Sequence, residues 1–156
     1  MSSETFKDLL VGLGFILAEV LIFQHLSFYG ASPDPLLIYL LWLAMKYDRV
    51  KLILFAAILG LIQDALFDFW GLNMFSKTLI CFIVYNFLNR RIEGRLVIWQ
   101  IFMVILIVAV LHNLIFLGLS TFIEAYTSGF SPIIFIIGNS LYTALLGSML
   151  FIFKGN

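Results

Sequence analysis

The sequence predicts an all-α polytopic membrane protein, a bundle of about six transmembrane helices forming a single integral-membrane domain over residues 1–156. Three observations carry this expectation. Hydrophobic residues make up 63% of the chain and charged residues only 12%, with a mean hydropathy of +1.10, against roughly 25% charged residues in soluble domains. Leu96 to Leu111 is apolar on every side except at Gln100, whereas a spanning β-strand alternates apolar and polar residues. At about 20 apolar residues per helical crossing, the chain supplies at most about seven crossings and leaves no room for a separate soluble domain.

Turn signals and charge clusters divide the chain into apolar stretches at about 8–28, 34–47, 51–69, 73–89, 96–119 and 132–153. The first is expected to be a retained span rather than a signal peptide. Its only basic residue, Lys7, is flanked by Glu4 and Asp8, and no A-x-A site follows. The second, at about 14 residues, is shorter than a comfortable crossing; it either lies in a thinned bilayer or is re-entrant behind Pro33-Asp34-Pro35. The third follows the basic cluster Lys46, Arg49 and Lys51, and the fourth follows Gly71-Leu72-Asn73 and ends at Arg90, Arg91 and Arg95. In the sixth, Ser140, Ala144 and Ser148 recur every four residues with Gly147 beside them, a face on which another helix can approach closely.

Charge asymmetry sets the expected orientation. Six crossings place Lys7, the Lys46–Lys51 cluster, the Arg90–Arg95 cluster and Lys154 on one side, so both termini are expected in the cytoplasm. The connections near Ser27–Ser32, Asp68–Asn73 and Ser120–Ser131 carry no Lys or Arg. Tyr29, Trp70 and Tyr126 mark the outer interface, and Trp42, Tyr47 and Trp99 the inner one. Only Lys77 departs from the pattern.

Polar residues inside the spans require partners or water. Counting about 1.5 Å per residue, Asp64 and Lys77 fall in the outer half of the bilayer on consecutive antiparallel helices, where they are expected to form an ion pair. His112, Asn113, Asn139, Ser140, Gln24 and His25 come out at similar depths, with Glu19 nearer the midplane. Two readings of this buried polar layer stand: interhelical hydrogen bonds that hold the bundle together, or an outward-facing pocket for a small molecule or a partner's transmembrane side chain.

Catalytic, cofactor and metal sites are not expected. His25 and His112 have no H-x-x-x-H or Cys-x-x-Cys neighbours, and there is no Walker loop, G-x-S-x-G or H-E-x-x-H. Asp64 and Asp68, four apart, could share a helix face, but Asp68 falls at the interface beside Trp70, where a cap or loop carboxylate is ordinary. The Gly12-x-Gly14 pair is expected to permit close helix contact. Cys81 is the only cysteine and cannot form an intrachain disulfide. Formal net charge is zero, so no nucleic-acid partner is expected.

The run Gly60-Leu61-Ile62-Gln63-Asp64, followed by Gly71-Leu72-Asn73 and a new apolar helix, resembles the central signature of the rod shape-determining protein MreD family. Pro33-Asp34-Pro35 and the apolar residues after it resemble the same family's approach to its second segment, so the likeness covers about 33–90. The resemblance implies a non-enzymatic membrane scaffold of the bacterial elongation complex. It would bind an MreC-like single-span protein and help couple MreB filaments to peptidoglycan-synthesis enzymes at the plasma membrane. It also implies a helical fold similar to the S-components of energy-coupling factor transporters. That likeness supplies the alternative, a substrate-binding membrane subunit of a vitamin-type transporter.

Within the motif, elementary geometry assigns several roles. Gly60 lets a neighbouring backbone come close, Gly71 permits a left-handed turn, and Asn73 is expected to cap the fourth helix. Asp64 is the member that turn formation does not require, leaving it either the Lys77 ion pair or recognition of a partner.

Overall fold

The computed structural model describes residues 3–27, 29–91, 97–123 and 131–154. Arg95 and residues 124–130, Tyr126 among them, lie outside them. Six α-helices follow in chain order: α1 (Ser3–Ala18), α2 (Pro35–Lys46), α3 (Arg49–Phe67), α4 (Leu72–Arg91), α5 (Ile98–Ile123) and α6 (Pro132–Lys154). There is no β-strand among the described residues. Three segments, Arg49–Phe67, Ile98–Phe122 and Pro132–Phe151, are long and apolar enough to cross a membrane unaided, while Pro35–Lys46 and Leu72–Leu88 are shorter apolar helices.

The shortest helix is the centre of the molecule. Pro35, Leu36, Leu37, Ile38, Tyr39, Leu40, Leu41, Leu43 and Ala44 of α2 are all buried, because α1, α3, α4 and α6 pack around it. A helix apolar on every side needs such a surround. Its start is fixed by Pro35 in the first turn and by Asp34, whose Oδ1 accepts the Leu37 amide at 2.8 Å. Twelve residues rise only about 18 Å, well short of the ~30 Å of a hydrocarbon core.

Non-helical chain fills the remainder on the α2 N-terminal side. After α1 a five-residue π-helical turn, Glu19–Phe23, is followed by irregular backbone, in which Tyr29 and Gly30 are left-handed. Such backbone survives at membrane depth only where protein satisfies it. Here α6 does so: Asn139 Oδ1 accepts the Ser32 amide at 2.9 Å, and Thr143 Oγ1 accepts the Asp34 amide at 3.0 Å.

Helices α3 and α4 form a tight antiparallel pair. A Cβ on Gly60 would stand 2.6 Å from the Met74 Cα, so only glycine lets the start of α4 lie on α3 here. The turn between them uses left-handed Asp68 and Gly71, at φ 57° and 87°. The glycines of α1 divide: Gly12 is packed against Leu59 and Tyr39, while Gly14 faces open space and makes no such contact. Ser140, Ala144, Gly147 and Ser148 are buried within the bundle, with Gly147 against Ile105 of α5 and Ile38 of α2. The small-residue face of α6 is thus spent on internal packing.

Candidate functional site

The polar layer gathers where α2 begins. Lys77 of α4 has a fully buried side chain, and its ammonium bonds Asp34 Oδ2 at 2.5 Å and Asn73 Oδ1 at 3.1 Å. Burying a lone ammonium would cost several kcal/mol, and this carboxylate with a second acceptor offsets that cost. Asp34 therefore has three tasks: its two oxygens cap α2 and hold Lys77, and its amide anchors the incoming chain to α6.

The expected Asp64–Lys77 ion pair is not formed. Asp64 instead receives the first amides of α4, Asn73 N on Oδ1 at 2.9 Å and Met74 N on Oδ2 at 2.8 Å. These groups have no partner inside their own helix, and a carboxylate at a helix N-terminus also meets the positive end of its dipole. Asp64 is thus an N-terminal cap supplied from the neighbouring helix. Asn73 does not perform the capping assigned to it from sequence. Its amide donates to Asp64, and its side chain turns to Lys77.

The Gly60-x-x-x-Asp64 spacing now has one geometric meaning. A single turn of α3 presents the gap that admits the α4 backbone and the carboxylate that receives it. Gly71 supplies the reversal between the two helices.

The remaining polar residues surround a cavity of about 230 Å3. Glu19, Ser32, Asp34, Gln63, Asn73, His112, Asn113 and Asn139 contribute its polar lining. Phe67, Phe69, Phe116 and Phe135 form an aromatic wall in which successive ring centroids lie 5.9, 5.5 and 6.2 Å apart. Gln63 Nε2 donates to Glu19 Oε1 at 2.7 Å, and Asn113 Nδ2 donates to Ser140 Oγ at 3.0 Å. Ser76 Oγ lies 3.1 Å from His112 Nε2, while His112 Nδ1 stands 3.9 Å from Asp34 Oδ2, too far for a hydrogen bond. Glu19 Oε2, Gln63 Oε1 and His112 Nδ1 are buried without a hydrogen-bond partner among the described residues.

Residues 6–154, nearly the whole chain, match the family described as rod shape-determining protein MreD. The chain belongs to the MreD family. No curated protein and no solved structure matches it. Family membership makes it a membrane protein of rod shape determination, and the all-helical bundle agrees with the expected fold class.

In this MreD-family chain, the site residues expected from sequence fall into two groups. Pro33, Asp34, Asn73, Glu19, His112, Asn113 and Asn139 line the cavity, and Lys77 is tied to it through Asp34. Gly60, Asp64 and Gly71 lie outside its lining and build the α3–α4 turn. His25, expected at the same depth as the polar layer, is exposed and outside the lining, whereas Gln24 is exposed but lines the cavity.

Sequence reasoning did not single out Gln63, Ser76, Thr143 or the phenylalanines. Gln63 carried a readable signal, being a polar residue beside Asp64 in an apolar run. Asp8 was likewise read only as a charge beside Lys7. It is buried, and its carboxylate accepts from Lys46 and from the Tyr47 hydroxyl, both at 2.6 Å, while its backbone carbonyl accepts from Tyr39 at 2.7 Å. Among the described residues, no group of three His, Cys, Asp or Glu side chains could hold a metal ion. Cys81 is buried and free.

Proposed function

We propose that the chain is a non-enzymatic scaffold of the cell-shape machinery, crossing the bacterial inner membrane six times with both termini in the cytoplasm. In this role it binds an MreC-like single-span protein and helps couple MreB filaments to peptidoglycan synthesis. The observation that carries the reading is the match to a shape-determining family over residues 6–154.

Two structural features support it. The α6 small-residue face and the Gly60–Asp64 motif are consumed inside the bundle, so a partner must use the outer perimeter. On α3 that perimeter offers Val50, Leu54, Ile58 and Leu61, an exposed apolar stripe at helical spacing running most of the helix length. Such a stripe suits side-by-side contact with another transmembrane helix, where packing rather than water exclusion drives association.

Affinity purification from native membranes in mild detergent tests the proposal. Co-recovery of a single-span protein with a coiled-coil extracellular region is the expected result. Loss of that recovery when Leu54 and Ile58 are changed together to Trp would place the contact on α3. Recovery of the chain with a cytoplasmic ATPase module and no such protein would sink the scaffold reading in favour of a transporter subunit. The cavity is the one feature that favours the transporter alternative, and at about 230 Å3 it falls below the ~300–1,000 Å3 of ordinary small-molecule sites.

A further inference from the structure

We infer that the outer cavity is a binding site for a compact primary ammonium group. The inference does not depend on which protein the scaffold recruits. It starts from the unused polar atoms. Buried polar groups are nearly always paired, and each exception calls for a physical reason. Three exceptions belong to residues that line one cavity: Glu19 Oε2, Gln63 Oε1 and His112 Nδ1. Two belong to side chains that are almost wholly buried, Gln63 at 2% and His112 at 3% exposure.

Their chemistry is of one kind. A carboxylate oxygen and an amide oxygen are acceptors. When the Ser76 hydroxyl donates to the Asn73 carbonyl, 3.3 Å away, His112 donates through Nε2 to Ser76 Oγ, and Nδ1 becomes a third acceptor. The matching ligand brings several N–H donors on one atom, which an ammonium does with three.

Charge and shape point the same way. Lys77 is paired with Asp34, whereas Glu19 makes no salt bridge among the described residues and its carboxyl is held by the neutral Gln63 amide, so an ammonium in the cavity would be its counter-ion. The phenylalanine wall offers ring faces to a cation, as cation-binding aromatic sites do. Finally, Glu19 opens the π-helical turn Glu19–Phe23, a rare departure from α-helical winding that is frequent at functional sites. At about 230 Å3 the space suits an aminoalkyl group rather than a larger metabolite.

An ammonium group of this size is carried both by free small amines and by the headgroup of phosphatidylethanolamine. The experiment separates them. The purified full chain is melted in detergent with ethanolamine, with ethylene glycol as the neutral isostere, and with sodium chloride at matched ionic strength. In parallel, it is reconstituted in nanodiscs of phosphatidylglycerol with or without phosphatidylethanolamine and examined by native mass spectrometry.

Ethanolamine at a hundredfold excess over its Kd should raise the Tm by about 8 °C, with neither control doing so. Stabilisation by the free amine assigns the site to soluble amines, whereas selective retention of one phosphatidylethanolamine with no response to ethanolamine assigns it to the lipid. Glu19→Gln should weaken either response about tenfold or more, and Gln63→Leu serves the same purpose if the first variant does not fold. No response to amine and no selective lipid retention by the wild-type chain overturns the inference, and so does equal stabilisation by ethylene glycol.

Discussion

The two ends of α2 are each fastened by an ion pair, and they are fastened differently. At the N-terminal end Asp34 meets Lys77 of α4 at 2.5 Å, with side-chain exposures of 16% and 0%. At the C-terminal end Lys46 meets Asp8 of α1 at 2.6 Å, with exposures of 33% and 11%. Both pairs put the acid at a positive helix end or the base at a negative one, as the α2 dipole favours. Yet only in the first is the cation fully buried, whereas the ammonium of the second is one-third exposed. One end is held by a connected buried network, the other by a contact at the bundle's rim.

The difference teaches why a half-length helix can sit at the centre of a membrane bundle. The N-terminal end must also support unwound chain, so its polar groups are committed to backbone: Asp34 to Leu37, Asn139 to Ser32, Thr143 to Asp34. The C-terminal end supports no such chain. There the tyrosine hydroxyls of α2 and its C-terminal cap complete the Asp8 contacts, and Lys46 lies over the Trp42 and Tyr47 rings at 5.6 and 5.2 Å.

Removing one member of the buried pair should give the largest effect. Lys77→Met strands the Asp34 carboxylate and is expected to cost about 3–5 kcal/mol of stability. Asp34→Asn retains an N-cap side chain for α2 while deleting the charge. The double variant Asp34→Asn/Lys77→Met should therefore lose less than Lys77→Met alone, as read by denaturant or thermal unfolding in one detergent. Strictly additive losses would show that the two groups are not coupled.

A smaller effect separates Asp34, the carboxylate that Lys77 meets, from Asp64, the one expected from sequence. Asp64→Ala removes a cap and is expected to cost about 1–2 kcal/mol. Combined with Lys77→Met, its loss should add to within about 1 kcal/mol, since the two residues share only Asn73. Strong non-additivity here, with none between Asp34 and Lys77, would restore the pairing expected from sequence.

That reversal marks where sequence reading stops. Helix type, the six segments and the common depth of the polar residues are written in periodicity, in charge placement and in a fixed rise per residue. Rise fixes height along an axis and says nothing about azimuth, so the shared depth of Asp64 and Lys77 left open which carboxylate the lysine meets. The choice is made by α2 standing between α3 and α6, a packing fact. The same fact turns a stretch that looks too short to cross into the most buried helix. Gly60 and Gly71 were legible because a missing Cβ has a local meaning. The Asp64 cap was not, because its amides belong to a helix that begins across a turn. The cavity was legible only as a set of polar residues, since three unpaired atoms are a property of the final packing.

The smallest effect is expected at the rim. Lys46→Met removes the ammonium but leaves Asp8 with the Tyr47 hydroxyl on its carboxylate and Tyr39 on its carbonyl. The Lys46 ammonium is one-third exposed and already shares its solvation with water, whereas that of Lys77 is fully buried. The loss should be well below that of Lys77→Met and should shrink further near 1 M salt, where the Debye length falls to about 3 Å. The Lys77→Met loss should be nearly insensitive to salt, because its pair is shielded by the bundle. Measuring both variants across a salt series therefore tests the contrast between the two ends directly. Parallel salt dependence would mean that water reaches the Asp34 end as freely as the Asp8 end.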